Sequence, residues 1–123
     1  MKYDILIVDD EKEIRDIISS FISEHMNCNI VTAVDGQDAL KIALSKEFDL
    51  IITDHRMPIL TGAQFFIKMR ETPGPNKYSP VIFLSAFIDE AKIGTECLED
   101  VYFMDKVNYV NKLIPYVTMI LGQ

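Results

Sequence analysis

Residues 5–22 read Ile5-Leu6-Ile7-Val8-Asp9-Asp10-Glu11-Lys12-Glu13-Ile14-Arg15-Asp16-Ile17-Ile18-Ser19-Ser20-Phe21-Ile22. A continuous apolar run rich in β-branched residues ends at adjacent acids, and a stripe at Ile14, Ile17, Ile18, Phe21 and Ile22 follows with helical spacing. Continuous rather than alternating hydrophobicity marks a strand covered on both faces, as in a parallel sheet. The pattern recurs. Leu50-Ile51-Ile52 and Val81-Ile82-Phe83-Leu84 are further short runs, with weaker ones at Ile30-Val31 and Val101-Tyr102-Phe103. Between them lie stripes at Ala39, Leu40, Ala43 and Leu44, and at Ala63, Phe66 and Ile67 after the capping-box pair Thr61 and Gln64. The last stripe is Val110, Leu113, Ile114, Val117, Ile120 and Leu121, where Pro115 requires a late helix start. A helix over Asp89 to Glu99 is the weakest expectation, with Gly94 in its middle. Five strands alternating with five helices make a (βα)5 doubly wound α/β sandwich with right-handed crossovers.

The chain has 123 residues, one domain in size, and 49% hydrophobic against 25% charged residues is an ordinary globular balance. Nineteen acidic residues outweigh twelve basic ones, for a net charge of −7, which argues against a nucleic-acid-binding module. No apolar run exceeds four residues, so a membrane-spanning helix is excluded, and the first residues do not resemble a signal peptide. Cys28 and Cys97 are too few for a disulfide framework and read as reduced structural residues in a cytoplasmic protein. Pro73-Gly74-Pro75, with Pro80 nearby, reads as a surface loop rather than a linker.

In open parallel sheets ligands bind at the carboxyl ends of the strands, so the residues after each run carry the information. They are Asp9-Asp10-Glu11, Thr53-Asp54, Ser85-Ala86 and Asp105-Lys106. Three carboxylates within a few ångströms require a cation, a raised pKa or a nearby lysine. Oxygen-only ligands in an open site suit Mg²⁺, and Lys106 and Ser85 add an ammonium and a hydroxyl. Such a set suits a phosphoryl group, attacked by one carboxylate while metal and amine neutralise its oxygens. Asp10 alone would read as a helix cap in Asp10-Glu11-Lys12-Glu13, Lys106 as a surface lysine, Phe103 as core packing and His55 as an exposed loop residue. His25, near the end of the first helix, is favourable beside the helix dipole.

Over essentially its whole length the sequence resembles the receiver domain of two-component response regulators. The resemblance rests on Asp9-Asp10-Glu11, on Ala33-Val34-Asp35-Gly36-Gln37-Asp38-Ala39-Leu40, on Asp54-His55-Arg56-Met57-Pro58 through Gly62, on Ser85-Ala86 and on Phe103-Met104-Asp105-Lys106, in family order and spacing. It implies one domain over 1–123 with a flavodoxin-like receiver fold of strand order 2-1-3-4-5. Asp54 would be the phosphoacceptor, with Mg²⁺ held by Asp54, by Asp10 directly, by Asp9 through water and by the backbone carbonyl of Arg56. Ser85 and Lys106 would bind the transferred phosphoryl, and Phe103 would stand at the switch aromatic. Arg56 and Phe87 hold positions that tune phosphate lifetime in the family.

The implied partner is a histidine kinase or histidine phosphotransfer protein. By the same resemblance the receiver, though not a conventional enzyme, would itself catalyse the transfer and its own slow dephosphorylation. Output would pass through the face of the fourth helix, fifth strand and fifth helix, with a phosphorylation-dependent homodimer as a further expectation. The expected setting is either a single-domain regulator or a receiver cut from a longer protein. The sequence departs from the family where Val107 replaces the usual proline. A cis bond before valine would cost about 2.5–4 kcal/mol, so a trans loop is expected. Lys112, six residues after Lys106, repeats the aromatic-x-x-Lys spacing and ranks second. Glu99-Asp100 replaces the usual Gly-Ala, so the fourth helix is expected to end differently. The rival readings are a phosphate-independent interaction module of the same fold, a phosphohydrolase of the haloacid dehalogenase type, which wants Asp-x-Asp after the first strand, and a flavodoxin-like FMN protein, which wants a phosphate loop there.

Overall fold

The computed structural model describes residues 2–96 and 98–122, of Asn108 only the backbone. Five parallel strands, β1 (Tyr3–Val8), β2 (Cys28–Ala33), β3 (Leu50–Thr53), β4 (Val81–Ser85) and β5 (Val101–Asp105), form one sheet in the order β2-β1-β3-β4-β5. Helices α1 (Lys12–His25) and α5 (Leu113–Leu121) cover one face; α2 (Gly36–Ser45), α3 (Gly62–Glu71) and the short α4 (Ile88–Lys92) cover the other.

The continuous apolar runs are explained by this double cover. Alternate residues of each strand enter different cores. Ile5, Ile7, Leu50, Ile52, Ile82 and Leu84 pack with Ile18 and Ile22 of α1 and Leu113 and Val117 of α5. Leu6, Val8, Ile51, Val81 and Phe83 pack with Ala39 and Ala43 of α2, Phe65, Phe66 and Met69 of α3, and Ala91 of α4. Each fully buried aliphatic side chain contributes about 1.5–3 kcal/mol relative to exposure.

The predicted capping box is present: Thr61 Oγ1 accepts the Gln64 N–H at 3.1 Å and Gln64 Oε1 accepts the Thr61 N–H at 2.9 Å. Helix α5 starts at Leu113, which leaves Pro115 in its first turn, where no intrahelical N–H is lost. Val110 therefore falls outside the helix and is exposed. The helix expected over Asp89 to Glu99 is corrected: α4 stops at Lys92, and Gly94 follows at φ +77°. The chain re-enters the sheet through Asp100, also left-handed at φ +56°, whose carbonyl accepts the Val81 N–H at 2.9 Å. Cys28 is a free, half-buried thiol, and Cys97 lies outside the described residues. No helix among the described residues is long and apolar enough to cross a membrane.

Candidate phosphoacceptor site

Asp9 is the first residue beyond β1, and Asp54 the first beyond β3. The Asp54 N–H donates to the Val8 carbonyl at 2.9 Å, which ties the two strand ends together. Asp9 is buried and its neighbour Asp10 exposed, because consecutive residues leave a strand on opposite sides. One carboxylate oxygen from each of Asp9, Asp10 and Asp54 lies within 4.8 Å of the others. Asp9, not Asp10, turns the chain into α1. Its Oδ1 accepts the Glu11 N–H at 2.9 Å, while its carbonyl accepts Arg15 Nη1 at 2.8 Å.

Lys106, directly after β5, reaches into this cluster. Its Nζ stands 2.8 Å from Asp9 Oδ2 and 2.9 Å from Asp54 Oδ2. The described peptide bonds are all trans, and Val107 does not prevent the reach. Lys112 is exposed at the start of α5. Asp54 Oδ1 accepts the His55 N–H at 2.7 Å, and Thr53 Oγ1 donates to the Asp54 carbonyl at 2.8 Å. Burial pushes the Asp9 carboxyl above its ordinary value, against the pull of Lys106 and the Glu11 N–H. Burial draws the Lys106 ammonium down, but its bonds to Asp9 and Asp54 carry it above its ordinary value.

Ser85, the last residue of β4, is fully buried, and its Oγ accepts the Phe87 N–H at 3.0 Å. It stands two residues beyond Phe83, the register partner of Thr53. Phe103 is half-buried and stacks on Phe83, with ring centroids 5.4 Å apart and planes 9° from parallel.

Gly62 opens α3 against the backbone of the site. Its N–H donates to the His55 carbonyl at 2.7 Å, and a Cβ there would stand 2.0 Å from the Asp54 carbonyl oxygen. This approach buries His55, correcting the expectation of an exposed loop residue. The His55 imidazole faces the Ala63 N–H at 3.4 Å through Nδ1 and the Glu90 carboxylate at 3.7 Å through Nε2. Burial lowers its pKa. Sequence reasoning also missed Arg15 and Glu90. Glu90 Oε2 accepts Arg56 Nε at 2.9 Å and its Oε1 accepts Arg56 Nη2, while the guanidinium lies 3.5 Å from the Phe87 ring centroid. These bonds hold the Glu90 carboxyl below, and the Arg56 guanidinium above, their ordinary values.

The donors are oxygen-only, with one carboxylate open to solvent and two facing an ammonium. That set fits a hard divalent cation such as Mg²⁺, which retains waters and binds through few carboxylates. Together they define a doubly wound domain with an acidic, lysine-bearing cleft at the carboxyl edge of its sheet. The chain belongs to the response regulator receiver domain family, whose model matches residues 5–114. The response regulator ArlR of Staphylococcus aureus is 36% identical over 85 residues, 69% of this chain and 36% of that protein. The chain thus spans about a third of the length of the curated relatives it matches. Among solved structures, response regulator TrrA of Thermotoga maritima, in complex with Mg²⁺ and BeF, is 30% identical with a TM-score of 0.78, over 98% of this chain and 99% of that one. Chemotaxis response regulator CheY4 of Vibrio cholerae is 26% identical with a TM-score of 0.84, over the same shares.

Proposed function

We propose that this chain, over residues 1–123, is a phosphorylation-controlled signalling switch that accepts a phosphoryl group onto Asp54 from a histidine kinase or histidine phosphotransfer protein. The observation that supports it best is Asp54 itself, an almost buried carboxylate whose two oxygens face the His55 N–H and the Lys106 ammonium beside Asp9 and Asp10. In the transfer, an Asp54 oxygen attacks phosphorus of the donor's phosphoimidazole. The new O–P bond forms as the N–P bond breaks, and the imidazole nitrogen keeps the electron pair and takes a proton from water. Asp9, Asp10, Asp54 and the Arg56 carbonyl would hold Mg²⁺, which when bound supplies positive charge to the phosphoryl oxygens. Lys106 neutralises carboxylates before transfer and is placed to pair with a phosphoryl oxygen afterwards. Ser85 Oγ accepts from Phe87 and keeps its own proton to donate to the phosphoryl.

Hydrolysis returns the carboxylate when water attacks phosphorus and the Asp54–phosphorus bond breaks. Phe103 and Ser85 serve as the switch, read by a downstream protein at the α4–β5–α5 face or by a second copy. The setting is the cytoplasm, with neither nucleic acid nor membrane bound directly. The test is incubation with acetyl phosphate and Mg²⁺, followed by intact-mass measurement. One phosphoryl group is expected on the wild type and none on Asp54→Asn or with the metal chelated. Equal labelling of the variant overturns the assignment.

A further inference from the structure

One guanidinium ties the loop after β3 to α4. Arg56 follows Asp54 by two residues, and its fork is taken up by the Glu90 carboxylate of α4 and laid flat on Phe87, the residue before α4. Both side chains are exposed, and such pairs contribute little unless the geometry is bidentate. Here it is bidentate and aromatic-stacked, an arrangement that lysine could not reproduce. The same Glu90 carboxylate lies 3.7 Å from the imidazole of His55, the residue next to Asp54. Glu90 therefore sits beside the place where phosphorylation adds a charge of about −1.5 to −2. Arg56, two residues after Asp54 and bonded to Glu90, would then have two anions to choose between.

We propose that Glu90 is a positioning residue that holds Arg56 away from the Asp54 cleft, and that a phosphoryl group on Asp54 draws the guanidinium from Glu90 to itself and frees α4. This rests on the phosphoacceptor reading of Asp54 and adds a route by which the site speaks to α4. Arg56 makes different contacts in the two states, and only such differential contacts shift a conformational equilibrium.

The test is a double-mutant cycle on the full chain with Glu90→Gln, Arg56→Gln and their combination. Affinity for beryllofluoride with Mg²⁺ is followed by ¹⁹F NMR, alongside the Arg56 Nε–H resonance and amide exchange over Ile88–Lys92. Glu90→Gln is expected to tighten beryllofluoride binding roughly two- to fivefold, the scale of a well-formed surface ion pair. In the Arg56→Gln background the same change is expected to do nothing. In the wild type, beryllofluoride should shift the Arg56 Nε–H and speed exchange in α4; in Glu90→Gln, α4 should already exchange fast. An equal gain from Glu90→Gln without Arg56 would mean that Glu90 acts only as a nearby charge, and the exchange falls. An unmoved Arg56 Nε–H with beryllofluoride bound overturns it too. If the wild type binds no beryllofluoride, the phosphoacceptor reading itself fails, and the exchange with it.

Discussion

Replacing Lys106 with methionine keeps most of its stem and removes the ammonium that faces Asp9 and Asp54 at 2.8 and 2.9 Å. The side chains involved are 19%, 2% and 9% exposed, so the charges sit between surface and interior. Breaking a buried pair costs about 3–5 kcal/mol, and an exposed pair contributes about 0–1 kcal/mol. For this half-open cleft the expected loss in metal-free buffer is about 2 kcal/mol. In a domain of this size that lowers Tm by about 6–10 °C. Because Nζ bonds the oxygens a divalent cation would need, Mg²⁺ should stabilise Lys106→Met more than wild type, by a margin that grows with concentration and levels off once both sites are filled.

The pH dependence has a definite sign. Lys106 lies above its ordinary value of 10.5 in the fold, so its stabilisation is complete below pH 10.5 and disappears as pH rises through the folded value. The gap between wild type and variant should therefore hold from neutral pH to about 10 and close beyond it. Asp9 acts in the same sense, but in the acid range. Its carboxyl is raised above 3.8, so the native state binds that proton more tightly and this group's contribution falls as pH climbs past 3.8. Chemical denaturation with chelator, then with stepwise Mg²⁺, measures all of this. Equal stability of the two proteins without metal, or a gap that persists unchanged above the alkaline window, refutes the assignment of Lys106 as the cleft's counter-charge.

Two further outcomes follow from the loop between β3 and α3. Gly62→Ala forces a methyl to within 2.0 Å of a main-chain oxygen that has no rotamer to escape by; overpacking of this kind costs about 1–3 kcal/mol. Denaturant midpoints should fall accordingly and acetyl phosphate labelling of Asp54 should slow, whereas an unchanged midpoint would mean the loop yields freely. Ile59 is the reverse case: a β-branched residue at φ +74°, at the centre of a three-residue turn closed by the Leu60 N–H on the Pro58 carbonyl at 2.9 Å, and 67% exposed. Ile59→Asn should raise stability by about 1 kcal/mol, because asparagine tolerates left-handed backbone and little apolar burial is lost; a drop in midpoint would show that Ile59 packs more than it strains.

The sheet was legible because each buried strand is written as an unbroken apolar run, and the cleft because its residues stand immediately after those runs. What was hidden depends on contacts across the chain. No local pattern reveals that the start of α3 folds back over His55, since that burial arises from the Gly62 N–H meeting a carbonyl seven residues earlier. The pairing of Arg56 with Glu90 spans 34 residues and leaves no periodic trace. Asp9 and Asp10 look alike in sequence, and only the direction in which the chain leaves β1 makes one buried and bonded, the other open. The shortness of α4 was half visible. Gly94 and Asp100 are residue types that accept positive φ, and both adopt it in the segment between α4 and β5.

Val107 looked like the site's weakness, and the local geometry shows why it is tolerated. Lys106 is aimed from two directions. The register of β5 on β4 pairs Asp105 with Ser85 and so fixes where the strand ends. Beyond it, residues Lys106–Asn108 form a single 3₁₀ turn in which the Val107 N–H donates to Asp105 Oδ1 at 2.8 Å. A proline at 107 has no N–H to give and could not make that bond. The side chain of Asp105 thus fixes the turn here by a hydrogen bond, where a proline would do so by its ring. Lys106, held between a paired strand end and a capped turn, reaches Asp9 and Asp54 without the residue that the family's usual sequence places after it.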